Sequence, residues 1–225
     1  MKKGLAWGAA LAAATLLAQG CAPLIVGGIA AGTALVVTDR RTTGTQVDDQ
    51  TIEMRIADEL TAGLQGGPVR ISIDSFERKV LLTGEVPDEK VKADAGAIAA
   101  RSLNVRAVVN ELTIAAPTTM SQRVSDTTLG GSVRAAFLGT SDIAFNSVKI
   151  VTDRGVIYLM GVVTEREGEV AAQVASRVSG VRRVVKVFDY ASAEDVQRRR
   201  ATGSPPPATQ PPAPITASPP AAGTR

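Results

Sequence analysis

The chain has 225 residues, of which 44% are hydrophobic, 3% aromatic and 21% charged, with a formal net charge of +3, one Cys and no His. Without His the usual general base, proton shuttle and commonest metal ligand are missing, and a single Cys excludes intramolecular disulfides and cysteine-cluster zinc sites. These counts argue against triad hydrolases, zinc enzymes and nucleic-acid binders, and the length admits one or two small domains.

The N-terminus begins Met1-Lys2-Lys3 and runs uncharged and apolar from Gly4 to Ala18. A basic n-region followed by such an h-region reads as a signal peptide over residues 1–20, not as folded structure. The run closes on Leu17-Ala18-Gln19-Gly20-Cys21, which resembles a bacterial lipoprotein signal, with a small residue ahead of the Cys. Ala18 stands three before the Cys, where Leu is usual, and Leu17 is its neighbour. The resemblance implies lipidation at Cys21, and sorting to the outer membrane because Ala22, not Asp, follows. Several acyl chains anchor firmly, since each buried methylene contributes about 0.8 kcal/mol. Residues 21–50 then read as a lipidated Cys and a Gly/Ala-rich apolar linker. Its stretch Pro23 to Val37 contains Gly28-x-x-x-Gly32 and falls short of the roughly 20 residues a spanning helix needs.

From there the chain repeats itself at an offset of 77. Ile52, Ile56 and Leu60 correspond to Leu129, Val133 and Phe137, at helical spacing in both copies. Ile71 and Ile73 correspond to Val148 and Ile150, alternating as a half-buried strand does. Val80-Leu81-Leu82-Thr83-Gly84 corresponds to Ile157-Tyr158-Leu159-Met160-Gly161. Both continue into a polar turn and a helix, and Thr164 with Glu167 has the capping-box spacing. After a one-residue deletion Val105-Arg106-Ala107-Val108-Val109 meets Val181-Arg182-Arg183-Val184-Val185. Each unit reads helix, strand, strand, helix, strand. A strand–helix–strand crossover places its strands parallel, so each unit is expected to be a three-stranded mixed sheet with two helices on one face. The class is α+β, with domains at 51–115 and 127–190 and a linker at 116–126. Gly84 and Gly161 are read as structural.

The repeated αββαβ unit, with V-x-L-x-G in its middle strand and V-x-x-V-V in its last, resembles the BON domain. Two such units behind a lipidation signal resemble the dual-BON outer-membrane lipoproteins, over roughly residues 1–190. The resemblance implies a periplasm-facing protein whose second BON domain binds anionic phospholipid through its first helix, here Thr128 to Leu138. The residues carried over are Thr128, Leu129, Val133, Arg134 and Leu138. Leu129 and Val133 share a face with Phe137 that the repeat marks as core, so Arg134 and Leu138 are the better candidates for touching lipid. The family has Trp where this chain has Thr128, and Thr cannot bury the area of an interfacial Trp. Gly130-Gly131 weakens the helix by about 1 kcal/mol per Gly.

Residues 191–225 read as a short helix, Ala191 to Arg200, followed by a tail. Residues 203–225 hold eight of the twelve prolines and are expected to be disordered, having too little apolar surface to offset chain entropy. The first repeat (51–114) has 8 basic and 10 acidic residues, net −2; the second (128–190) has 8 and 6, net +2. The cationic copy suits an anionic bilayer, where each well-placed Lys or Arg contributes about 1 kcal/mol. Two function classes stay open: a phospholipid-binding factor supporting envelope integrity, including at the division site, or an adaptor docking outer-membrane assembly or division proteins. No catalytic constellation, metal site or cofactor is expected.

Overall fold

The computed structural model describes residues 41–64, 69–140 and 147–202. Cys21, the Gly/Ala-rich stretch and the Pro-rich tail lie outside the described residues.

The first helix, α1, spans Thr43–Gly63, starting eight residues before the expected boundary at 51. The Thr42 hydroxyl caps it, accepting the Thr45 N–H at 3.0 Å. Apolar periodicity begins only at Ile52, so pattern alone is silent over the first two turns; polar groups order them. Asp49 is buried there, paired with Arg41 at 3.1 Å. Its carboxylate also accepts the N–H groups of Glu77 and Arg78 at 3.0 and 2.8 Å. Those two residues form the turn of a hairpin whose strands, β1 (Arg70–Phe76) and β2 (Lys79–Val86), pair antiparallel. Their φ values, 52° and 62°, suit the right-handed twist of a two-residue hairpin.

Helix α2 (Glu89–Arg101) starts at Asp88, whose carboxylate accepts the Val91 N–H at 2.8 Å. It returns the chain to β3 (Ala107–Asn110), parallel to β2. A further short strand, β4 (Thr113–Ile114), also pairs with β2, making this sheet four-stranded where three strands were expected. The register along β2 is the same for both, so β4 continues β3 after a break. At the break Asn110 bonds locally: its side-chain oxygen accepts the Leu112 N–H at 3.3 Å, and its amide donates to Lys92 O at 2.8 Å. This Asx turn spans the gap, while the Glu111 N–H still donates to Leu82 O at 2.9 Å. In the second repeat Lys186 occupies the matching position and the strand runs unbroken.

The second unit begins with α3 (Met120–Leu138), capped by Thr119, so most of the expected linker at 116–126 is helix. The reason repeats that of α1. Asp126, 77 positions after Asp49, accepts the N–H groups of Arg154 and Gly155, both at 2.9 Å. Strands β5 (Val148–Asp153) and β6 (Val156–Val163) pair antiparallel around that turn. Helix α4 (Glu165–Ser176) follows, with the expected capping box of Thr164 and Glu167, and β7 (Arg183–Tyr190) runs parallel to β6. Helix α5 (Ala193–Thr202) closes the described chain.

Each sheet carries both of its helices on one face, as expected. Ile52, Ile56 and Leu60 of α1 meet Val80, Leu82 and Val86 of β2 and Val91, Ala95 and Ala99 of α2. Val133 and Phe137 of α3 meet Ile157, Leu159, Ala171, Ala175 and Phe188 in the second core. A third core lies on the opposite faces. Phe76 and Leu81 of the first sheet pack with Tyr158, Met160, Val162 and Val187 of the second. The sheets therefore stack on their helix-free faces, with helices outermost. This buries the central strands on both sides, which is why β2 is buried from Val80 to Val86 and β6 from Ile157 to Val163.

Candidate membrane-facing site

Helix α3 carries the residues expected to meet lipid, and the fold divides them. Val133 is fully buried beside Phe137, and Leu129 packs partly buried against the same core. Val133 therefore cannot reach a bilayer, which corrects its inclusion; its repeat partner Ile56 is equally buried. Thr128 is exposed, its hydroxyl donating to Val124 O at 3.0 Å. Arg134 is exposed, and Leu138 is 61% exposed.

The helix start at Met120 adds two residues that the sequence reading did not include. Met120 is 66% and Val124 62% exposed. Met120, Val124, Thr128, Gly131, Ala135 and Leu138 recur every three or four residues, so they form one stripe. All six are exposed, and the stripe lies opposite Leu129, Val133 and Phe137. At 1.5 Å per residue it runs for roughly 27 Å. The signal was available at Val124 and Met120, four and eight positions before Thr128, but only once the helix was known to begin there.

Beside this stripe a cleft of about 580 Å³ opens between α3 and strands β1 and β5. Its walls carry Arg123 and Arg134 from α3, Arg70 from β1, and Asp153 from β5. Arg70 ties the two sheets together. It binds Glu85 bidentately, at 2.7 and 3.1 Å, and also pairs with Asp153 across the interface. Arg154 reaches Glu85 at 3.4 Å. Glu85 has no exposed surface. Burial pushes its pKa up, but the hydrogen bonds and charge of Arg70, with help from the Thr118 backbone and Arg154, hold it below the usual carboxylate value. For Asp153 burial wins over Arg70, and its pKa is raised. Burial also pushes the Tyr158 phenol up to about 12. Further cross-domain pairs rim the stacked sheets: Lys149 with Glu53 and Asp74, both at 2.9 Å, and Lys79 with Asp189 at 2.6 Å.

The two repeated units match the BON domain over residues 48–116 and 125–192. The chain belongs to the BON-domain family. This dual-BON protein is 37% identical to the outer membrane lipoprotein DolP of Haemophilus influenzae over 183 residues, covering 81% of this chain and 94% of that protein. It is 31% identical over 153 residues to a 21 kDa hemolysin of Actinobacillus pleuropneumoniae, covering 68% and 79%. The dual-BON chain is an outer-membrane lipoprotein of the envelope. Neither relative is named as an enzyme. Among the described residues no helix is long and apolar enough to cross a membrane, and no cluster of His, Cys, Asp and Glu could hold a metal ion.

Proposed function

We propose that this lipoprotein, anchored through Cys21 and facing the periplasm, lays α3 of its second BON domain on anionic phospholipid and so supports envelope integrity, including at the division site. The observation that carries the reading is the exposed stripe of Met120, Val124 and Leu138, each more than 60% exposed, with Arg123 and Arg134 along its edge. Apolar side chains this exposed on one helical face suit an interfacial helix, with cations beside them to meet phosphate. Thr128 supplies less apolar area than the Trp of the family; Met120, Val124 and Leu138 supply it at the two ends of the helix.

Every core described is formed within residues 41–202, so the chain lacking its first 21 residues is the protein to test. It is expected to co-sediment with phosphatidylglycerol vesicles in a salt-sensitive manner, and not with phosphatidylcholine. Binding is lost in Leu138→Asp or Val124→Asp and kept in Met54→Asp, on the equivalent helix of the first domain. Equal behaviour towards both lipids would sink the reading and favour an adaptor, for which the net −2 first domain and its exposed Val47 and Met54 are the available surface. Metabolic labelling with a fatty-acid analogue tests the anchor: the label disappears in Cys21→Ser.

A further inference from the structure

The C-terminal helix lies outside the duplicated unit, yet the fold seats it. The BON match ends at residue 192, and α5 begins at Ala193. Ser192 starts it: the hydroxyl accepts the Asp195 N–H at 3.1 Å and donates to the Asp195 carboxylate at 2.8 Å. Most of this helix is solvated, with Ala193, Glu194, Gln197 and Arg198 exposed. Two residues three positions apart are not. Val196 is 3% and Arg199 5% exposed, so one face of α5 is covered. A buried guanidinium needs a partner, because an unpaired charge away from water is costly. Its partner belongs to the other domain. Arg199 Nη1 donates to Glu77 Oε1 at 3.1 Å, across 122 positions, and Glu77 sits in the hairpin turn that Asp49 holds. The strand leading into α5 is gripped by the same end of the first domain. Asp189 pairs with Lys79 at 2.6 Å and with Arg106, and Lys79 also donates to Phe188 O at 3.1 Å. Among the described residues, Arg199 Nε is buried without a hydrogen-bond partner, so this seat is polar and incompletely satisfied.

We infer that α5 is an interdomain strap, seated by Val196 and latched by Arg199 on Glu77, whose closing keeps the two BON sheets stacked. The inference does not depend on α3 meeting lipid. Ten residues are too few for a helix to persist alone in water. Unseating α5 and unfolding it are therefore one event, which makes the strap a two-state element. Its root continues β7, where the Ala191 N–H donates to Val163 O at 3.0 Å, while its latch lies on the first domain. Closing the strap thus bridges the domains, and opening it removes the Arg199–Glu77 bridge. The coupling is reciprocal: whatever parts the sheets opens the strap, and whatever opens the strap favours parting by the same factor. Parting exposes Phe76, Leu81, Tyr158, Met160 and Val187, so the closed strap keeps that apolar layer covered.

The test uses the chain lacking its first 21 residues, and with them its single Cys. Nitroxide labels go on Leu103→Cys in the first domain and Arg177→Cys in the second, both exposed positions. Pulsed electron spin resonance reads the distance between them, and amide hydrogen exchange reads α5. The otherwise unsubstituted chain should give one narrow distance and protected α5 amides. Arg199→Glu sets two carboxylates against each other, so α5 exchange should rise on the order of 100-fold and a second, longer distance should appear. Gln197→Glu adds a carboxylate on the exposed side of the same helix. It should change exchange by less than about fivefold and leave the distance alone. Combining Arg199→Glu with Glu77→Arg reverses the pair and should return both readouts, which a general loss of stability would not allow. Arg199→Gln keeps donors without the charge and should respond between the two, so it stays readable where Arg199→Glu fails to fold. Exchange at Leu82 and Leu159, in the two central strands, reports that each domain remains intact. Released α5 amides at an unchanged distance would make the helix a cap on the second domain and overturn the strap. A longer distance with α5 still protected would overturn it too, as would a charge-swapped chain that behaves like Arg199→Glu. Loss of protection at Leu82 and Leu159 in every variant, Arg199→Gln included, would assign α5 to folding of the domains and likewise sink the inference.

Discussion

Gly84 and Gly131 show how different two glycines of one chain can be. Gly84 has φ +117°, and a Cβ there would stand 2.0 Å from Arg70 O on the paired strand. Gly161, its repeat partner, would meet Ser147 O at 2.5 Å. Both admit close approach of the neighbouring backbone, as their structural reading required. Gly84→Ala is expected to destabilise by about 1–3 kcal/mol from backbone strain, with the clash adding to it, read by urea unfolding. Gly131→Ala is expected to stabilise by about 1 kcal/mol, since the helix gains propensity and nothing is displaced. A polar counterpart is Asp126, whose two oxygens satisfy two turn N–H groups. Asp126→Ala leaves both donors without that partner and should cost about 1–3 kcal/mol per donor that stays dry; an unchanged urea midpoint would show that water replaces the carboxylate.

At the level of elements, the equivalent helices α1 and α3 are built alike and differ on their outer faces. Each opens two turns ahead of its apolar period, and each uses an aspartate at the same repeat position, Asp49 or Asp126, to hold the following hairpin turn. Their outer faces diverge. On α1, Val47 and Met54 are exposed among Asp48, Asp58 and Arg55, whereas on α3 the exposed apolar residues have Arg123 and Arg134 beside them. The two faces of α3 are separable by mutation. Val133→Asp places a charge in a site with no exposure and should unfold the second domain, seen as loss of the cooperative thermal transition. Leu138→Asp should leave that transition in place and abolish vesicle binding. A Leu138→Asp chain that melts early would mean that this residue packs in the fold.

For the molecule as a whole, the stacked sheets join two small domains through a shared apolar layer. A unit of about 60 residues is near the lower limit for an independent core, and the shared apolar layer of Leu81, Tyr158, Met160 and Val187 adds burial to both. At its edge the Arg70–Glu85–Asp153–Arg154 cluster makes that stability depend on pH. Glu85 has a folded-state pKa below its unfolded value, so its contribution is present above the ordinary Glu pKa, about 4.3, and is lost as pH falls through the folded value. Asp153 has the opposite sign: its raised pKa opposes folding at neutral pH, and acid relieves it. Thermal melts from pH 7 to pH 3 should show a stability loss on the acid side that is flatter in Glu85→Gln. That variant should also be less stable at pH 7, because Arg70 loses its buried charge partner. A Glu85→Gln chain with the wild-type acid limb would assign the pH dependence to other carboxylates.

The element order, the parallel crossover, the capping box at Thr164 and the buried face of α3 were all readable from residue patterns. They depend on local spacing, and the duplication printed each pattern twice. The early starts of α1 and α3 were not, because carboxylates bonded to a distant turn leave no apolar period, although aspartate at both 49 and 126 was the available trace. The gap between β3 and β4 falls at the local turn of Asn110, a single residue that no repeated pattern marks. The stacking of the sheets had a hint in the unbroken apolar run of β6 and in Val80-Leu81-Leu82 of β2, which exceed what one buried face requires. No local pattern could specify which surface covers them, nor that Arg70 and Arg134, 64 positions apart, line one cleft. Such partners are chosen by the burial of one sheet against another, and that choice exists only once the whole chain has folded.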